Sequence, residues 1–166
     1  MSLLDITFDS RANPLAAVED IAASNDLTFE RSGEDEITIL SKGTYTDYQL
    51  SFTWMAEIDA LHLACAFEMK IPEGRRAEVQ RLIAAINEQL WLGHFDLWAQ
   101  SGLLMYRQAL LLPGGMLASG AQCEAMLEAA LIACERYYPA FQFVIWAGKS
   151  AAEAMSAAMF DTAGHA

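Results

Sequence analysis

Positive charge, cysteine and long apolar runs are all scarce in this chain. Its 166 residues hold 10 Lys and Arg against 22 Asp and Glu, a formal net charge of −12. Nucleic-acid backbones are gripped by clustered Lys and Arg that displace counterions, so no nucleic-acid partner is expected. The same imbalance disfavours an anionic membrane or an anionic substrate. Nine acids and two bases fall within residues 1–36, so much of the excess sits at the front. There it reads as solubility and self-repulsion rather than as an acidic docking surface. No apolar run approaches the ~18 residues that a membrane span needs, so no membrane association is expected. The opening MSLLDITFDSRANP carries acids where a secretory signal carries bases. Cysteine occurs three times, an odd number. Without an export signal this points to free thiols in a reducing compartment, and the cytoplasm is expected.

What the chain does have is apolar substance. A composition of 54% hydrophobic and 19% charged residues excludes a disordered protein. One domain of this length buries roughly 70% of its unfolded surface. The expected division is a flexible N-terminus over residues 1–12, a single domain over 13–160 and a tail over 161–166.

Asn13-Pro14 reads as an N-cap followed by proline at the first helical position. Leu15, Val18, Ile21 and Ala22 follow at helical spacing, and Asn25 is a stop. Residues 27–31, 32–35 and 36–41 read as strand, turn and strand, with Phe29 sharing a face with Ile37 and Ile39. A long strand is expected over 44–58, with Tyr48, Leu50, Phe52, Trp54, Ala56 and Ile58 on one face. A two-residue turn at Asp59-Ala60 then pairs Ile58 with Leu61, Trp54 with Cys65 and Phe52 with Phe67. Pro72 opens a helix to about Leu92, buried through Val79, Leu82, Ile83, Ile86 and Leu90 and ended by Gly93.

A second hairpin is expected over 94–112. With Ser101-Gly102 as its turn, Trp98 faces Met105 and Leu97 faces Tyr106, while Asp96 and Arg107 form a cross-strand ion pair. Phe95, Leu97, Ala99, Leu104, Tyr106, Leu110 and Leu112 then share the inner face. Ser119 and Gln122 form a capping box for a helix to about Tyr138, with Cys123, Leu127, Leu131 and Cys134 as its stripe. Pro139 breaks or kinks that helix, residues 141–146 are apolar throughout, and Ser150 with Glu153 starts a last helix ending near Phe160. The fold class is therefore α+β: helix, three or four strands, helix, hairpin and C-terminal helices. Its antiparallel sheet has five to six strands and is covered by helices on its apolar face.

A distributed set of residues carries a family resemblance. It runs from Tyr48-Gln49-Leu50 through Ile71-Pro72, Asn87, Gly93, Phe95 and Leu97 to Gly102, Tyr106-Arg107 and Leu110, then Tyr138-Pro139, Gly148 and Ala154. Over residues 14–155 the chain resembles the YbjN family of bacterial sensory transduction regulators, whose fold is similar to that of type III secretion chaperones. The resemblance implies a chaperone-like α+β fold and brings no catalytic residue and no cofactor. Chaperone-like relatives are homodimers that hold protein segments on exposed sheet or helix surfaces, so a homodimer with a protein partner is expected.

No constellation of residues points to catalysis. His62, His94 and His165 lack the spacing of metal ligands, with His62 expected on the outer sheet face opposite Glu57. Cys123 and Cys134 lie three helical turns apart among leucines and read as core, as does Cys65 opposite Trp54. Gly114-Gly115 lacks the Lys-Ser/Thr of a phosphate loop. No enzyme, cofactor or metal is expected; an enzyme would need a cleft where His62 or His94 meets a carboxylate.

The informative oddity is apolar groups on a face that should be wet. Trp98, Leu103, Met105 and Leu111 share the outer side of the second hairpin, and Met55, Ala64 and Ala66 that of the first. If the hairpins are neighbours, these form a protein-binding surface centred on Trp98 and Met105, with Asp96 and Arg107 fixing the hairpin beneath. The competing possibility is that residues 139–160 fold over this face. The expected function is a non-enzymatic protein-binding module, chaperone-like or regulatory, with a small-molecule sensor as the alternative.

Overall fold

The computed structural model describes residues 13–164; the N-terminal stretch 1–12 and residues 165–166, with His165, lie outside the described residues. The first helix, α1 (Leu15–Ser24), precedes four strands, β1 (Thr28–Arg31), β2 (Glu36–Lys42), β3 (Asp47–Met55) and β4 (Ala60–Ala66). Helix α2 (Arg76–Asn87) leads to β5 (His94–Trp98) and β6 (Leu103–Leu111), and α3 (Gly120–Ile145) and α4 (Ala151–Gly164) close the chain. The six strands form one sheet in the order β1-β2-β3-β4-β6-β5, antiparallel throughout. The two hairpins are thus neighbours through β4 and β6.

Strict alternation decides which residues form the core. Ile37, Ile39, Tyr48, Leu50, Phe52, Leu61, Leu63, Cys65, Leu104 and Tyr106 are buried on the inner face, together with most of the expected stripes of the helices; Ile83, Leu90 and Leu131 are only partly buried. Phe67 sits at the aromatic centre, its ring 5.3–6.1 Å from those of Tyr48, Phe95, Tyr138 and Phe141. Each such pair adds up to about 1.5 kcal/mol beyond simple burial.

Both hairpin turns differ from the expected two-residue form. β3 ends at Met55, and a helical turn, Ala56–Ile58, with Asp59 left-handed at φ 50°, carries the chain to Ala60. Trp54 therefore pairs with Leu61, Phe52 with Leu63 and Leu50 with Cys65, while Ile58 is exposed and Phe67 lies past the ladder. Cys65 consequently lies opposite Leu50 and Tyr106, not Trp54. In the second hairpin Ala99–Gly102 form the connection, closed by a Gly102 N–H to Trp98 carbonyl bond of 2.7 Å with Gly102 at φ 68°. Trp98 then faces Leu103, Leu97 faces Leu104 and Phe95 faces Tyr106, and Ala99 is in the turn, exposed. Both shifts are by an even number of residues, so every strand keeps its buried face.

The helices all gather on the inner side. Residues 73–75 form a single tight turn ahead of α2, which stops at Asn87 rather than near Leu92. The Ser119–Gln122 capping box is present in both directions, at 3.0 and 2.8 Å. Pro139 does not end α3. Losing one helical bond and its clash costs about 3 kcal/mol, whereas burying Phe141, Val144 and Ile145 just beyond it returns about 1.5–3 kcal/mol each. Arg75 clamps the end of α3 by donating to the Val144 carbonyl (2.9 Å) and to that of Lys149. Glu78 accepts the Ala151 N–H at the start of α4 (2.9 Å) and pairs with Arg81; the Ala151 bond foremost, then Arg81, hold its carboxyl below the usual value. Residues 139–160 consequently pack among the helices and core, and among the described residues no element covers the outer sheet face.

Candidate functional site

The uncovered face is built from the alternate positions of every strand. Across β4 and β6 its rungs are Ala66–Met105, Ala64–Arg107, His62–Ala109 and Ala60–Leu111. β5 adds Asp96 beside Met105 and His94 beside Arg107, with Trp98 beside Leu103 at the tip. On the other side, Thr38 and Ser51 hydroxyls meet at 3.2 Å in the polar half of the sheet.

The four residues expected to form a contact surface share this face but do not form one spot. Trp98 (48% exposed) and half-buried Leu103 lie at the hairpin tip, with Met105 one rung in. Met105 is 5% exposed, so it lies packed between its neighbours instead of presenting a free side chain. Leu111 (68% exposed) is eight residues along β6 from Leu103, roughly 27 Å away at strand rise, beside Ala60 and Met55. Between the two apolar ends runs a polar belt.

Arg107 organises that belt. Its Nε donates to His62 Nε2 at 3.2 Å, and Nη1 donates to Asp96 Oδ2 at 3.4 Å. Its guanidinium lies 6.0 Å from the Trp98 ring centroid, at the limit of a cation–π contact. The ion pair is diagonal, because the shifted register puts Arg107 opposite His94, and Asp96 opposite Met105. About a third of each side chain is exposed, so the pair is worth no more than about 1 kcal/mol. His62 lies opposite Thr53 and Ala109 rather than Glu57, and its charged contact is a cation. Burial foremost, then Arg107 and His94, hold its imidazole below the ordinary value of 6.5. Held neutral, His62 is an acceptor for arginine; the carboxylate that acid-base catalysis would need is across the guanidinium, on Asp96. Among the described residues no group of three or more His, Cys, Asp and Glu could hold a metal ion.

Two features position the belt and its edge. Asn87, in the last turn of α2, bonds both main-chain groups of Phe95, accepting its N–H at 2.8 Å and donating to its carbonyl at 3.1 Å. The amide thereby occupies the free edge of β5 as a neighbouring strand would. Gly93 has φ 70° and no room for a Cβ beside Tyr106, whose hydroxyl donates to the Leu92 carbonyl at 2.9 Å. Burial, with Cys134 nearby, pushes the Tyr106 phenol up to about 12, so it remains a donor. The bend swings Trp91, 98% exposed, out beside His94 and His62. Sequence reasoning placed Trp91 in the helix and missed its exposure. The adjoining Gly93 was the available signal. The three cysteines are free and buried, and the contact with Cys65, then burial, push the Cys134 thiol up.

With this geometry in hand, comparison with known proteins is informative about fold. The ExsC-ExsE complex contains a chain 19% identical to this one, with TM-score 0.51, covering 82% of this chain and 96% of that one. The HopA1-SchA chaperone-effector complex contains one 21% identical, with TM-score 0.49, covering 76% and 93%. No curated protein matches. The α+β, type III secretion chaperone-like architecture expected from the sequence is the one observed. No helix among the described residues is long and apolar enough to cross a membrane. The family model of YbjN, described as "Putative bacterial sensory transduction regulator", matches residues 14–143. The chain belongs to the YbjN family.

Proposed function

We propose that this protein is a non-enzymatic protein-binding module, chaperone-like or regulatory, acting as a homodimer in the bacterial cytoplasm. Its partner rests on the uncovered outer face of the sheet, with Trp98, Leu103 and Met105 at one end and Leu111 at the other. Asp96 and Arg107 hold the hairpin between them. The observation that carries this reading is that all four helices of the described residues pack on the opposite side while Trp98 and Leu111 stay exposed on the open face. A half-exposed tryptophan backed by a buried methionine is the composition of an interaction centre. The family's regulatory description and a neighbour of like fold solved as a two-protein complex, ExsC-ExsE, are in keeping with it. The three unpaired, buried thiols suit a reducing compartment. Sedimentation equilibrium tests the homodimer: wild type is expected to run as a dimer and Trp98→Asp as a folded monomer. A wild-type monomer would remove the dimer, and an unchanged Trp98→Asp dimer would remove this face from it.

A further inference from the structure

The polar belt between the two apolar ends brings a guanidinium and two imidazoles together at one open corner. β6 runs past the start of β5, since His94 pairs with Arg107, so residues 108 and 109 have no strand partner on that side. The open corner is a depression of about 370 Å³ where His62, His94 and Arg107 meet, with Trp91 and Leu92 as its wall. That volume lies within the range of small-molecule sites. We propose that this corner binds the anionic group of a small molecule, a phosphate or a carboxylate, with the ligand's apolar part laid against Trp91. The proposal gives a place and a ligand class to the small-molecule alternative; the corner lies on the same open face, between the two ends of the proposed protein contact.

The chain as a whole is acidic, but charge here is local. His62 is flanked across its strands by Thr53 and Ala109, which are neutral. The charged and titratable groups facing it are Arg107 on β6 and His94 on β5, with Asp96 beyond the guanidinium. Arg107 uses Nε on His62 and Nη1 on Asp96, and Nη2 has no hydrogen bond among the described residues. An anion at the corner would accept from Nη2 and from the imidazoles, which are charge-assisted bonds once His62 or His94 is protonated. Protonating His62 removes the acceptor that Arg107 Nε now uses and sets two cations together; a bound anion neutralises both. Binding is therefore coupled to proton uptake, which adventitious contact with an exposed lysine would not be. Trp91, almost wholly exposed, supplies an unoccupied ring face beside the anion.

The test is an NMR titration of the His62 and His94 ring signals in the full chain, with inorganic phosphate and then phenyl phosphate. Saturable shifts and a His62 pKa that rises with ligand are expected. Phenyl phosphate should bind more tightly than phosphate, and Trp91→Ala should abolish that advantage while leaving phosphate binding. Arg107→Gln should weaken both by about tenfold or more, the loss of one charge-assisted contact. His94→Ala, at an exposed side chain, serves if Arg107→Gln unfolds, and should weaken both severalfold. Linear, non-saturating shifts, or equal binding by the folded variants, would mean an adventitious ion only and would overturn the proposal.

Discussion

The two faces of one sheet follow opposite rules. On β4, Leu61, Leu63 and Cys65 point inward and are fully buried, while His62, Ala64 and Ala66 between them point outward and are partly wet. The inner side is closed by helices that Arg75, Glu78 and Asn87 fasten through main-chain bonds. The outer side has apolar groups of similar size and, among the described residues, no element over them. Burial on the inside is a matter of stability, whereas apolar groups exposed on the outside are what the proposed interaction would use.

The comparison is broken most severely from within. Phe67→Ala removes the ring that touches four others and should cost about 3–5 kcal/mol in urea unfolding. Trp98→Ala, a larger truncation on the other face, should cost under about 1 kcal/mol. Equal losses would mean that the outer face is core after all.

The edge lies between these extremes. Asn87→Ala strips Phe95 of both main-chain partners and should cost about 1–3 kcal/mol. Hydrogen exchange at the Phe95 amide should accelerate relative to Leu104, deep in the same sheet.

The smallest effect is one of pH. His62 titrates below its unfolded value, so the unfolded chain binds its proton first. Its unfavourable contribution is absent above the ordinary 6.5 and grows as pH falls from there toward the folded value. Wild type should lose stability over that window, and His62→Gln should flatten the curve. A slope of the same size in the variant would assign it to other groups.

Particular elements show what was readable beforehand. Alternation in 48–54 and 61–67 identified the buried face, because burial of one side of a strand forces a period of two. The registers were not readable, since they depend on turns whose length is set by backbone conformation. Asp59 at φ 50° and Gly102 at φ 68° each allow a four-residue connection where a two-residue turn also fits the pattern. Pro139 misled because its local cost is plain in sequence while the burial that outweighs it is a tertiary effect. The outer apolar residues were legible from the same alternation. Their division into two ends, and the His62–Arg107 contact between them, required the register.

The central claim, that the open face is where this protein meets another, is tested most directly by affinity capture from the native lysate. Tagged wild type and Trp98→Asp would be compared, with urea unfolding of both in parallel. The account predicts that the variant folds within about 1 kcal/mol of wild type and loses a protein, whether a distinct partner or an untagged copy, that wild type retains. Retention of the same proteins by a folded Trp98→Asp would contradict it.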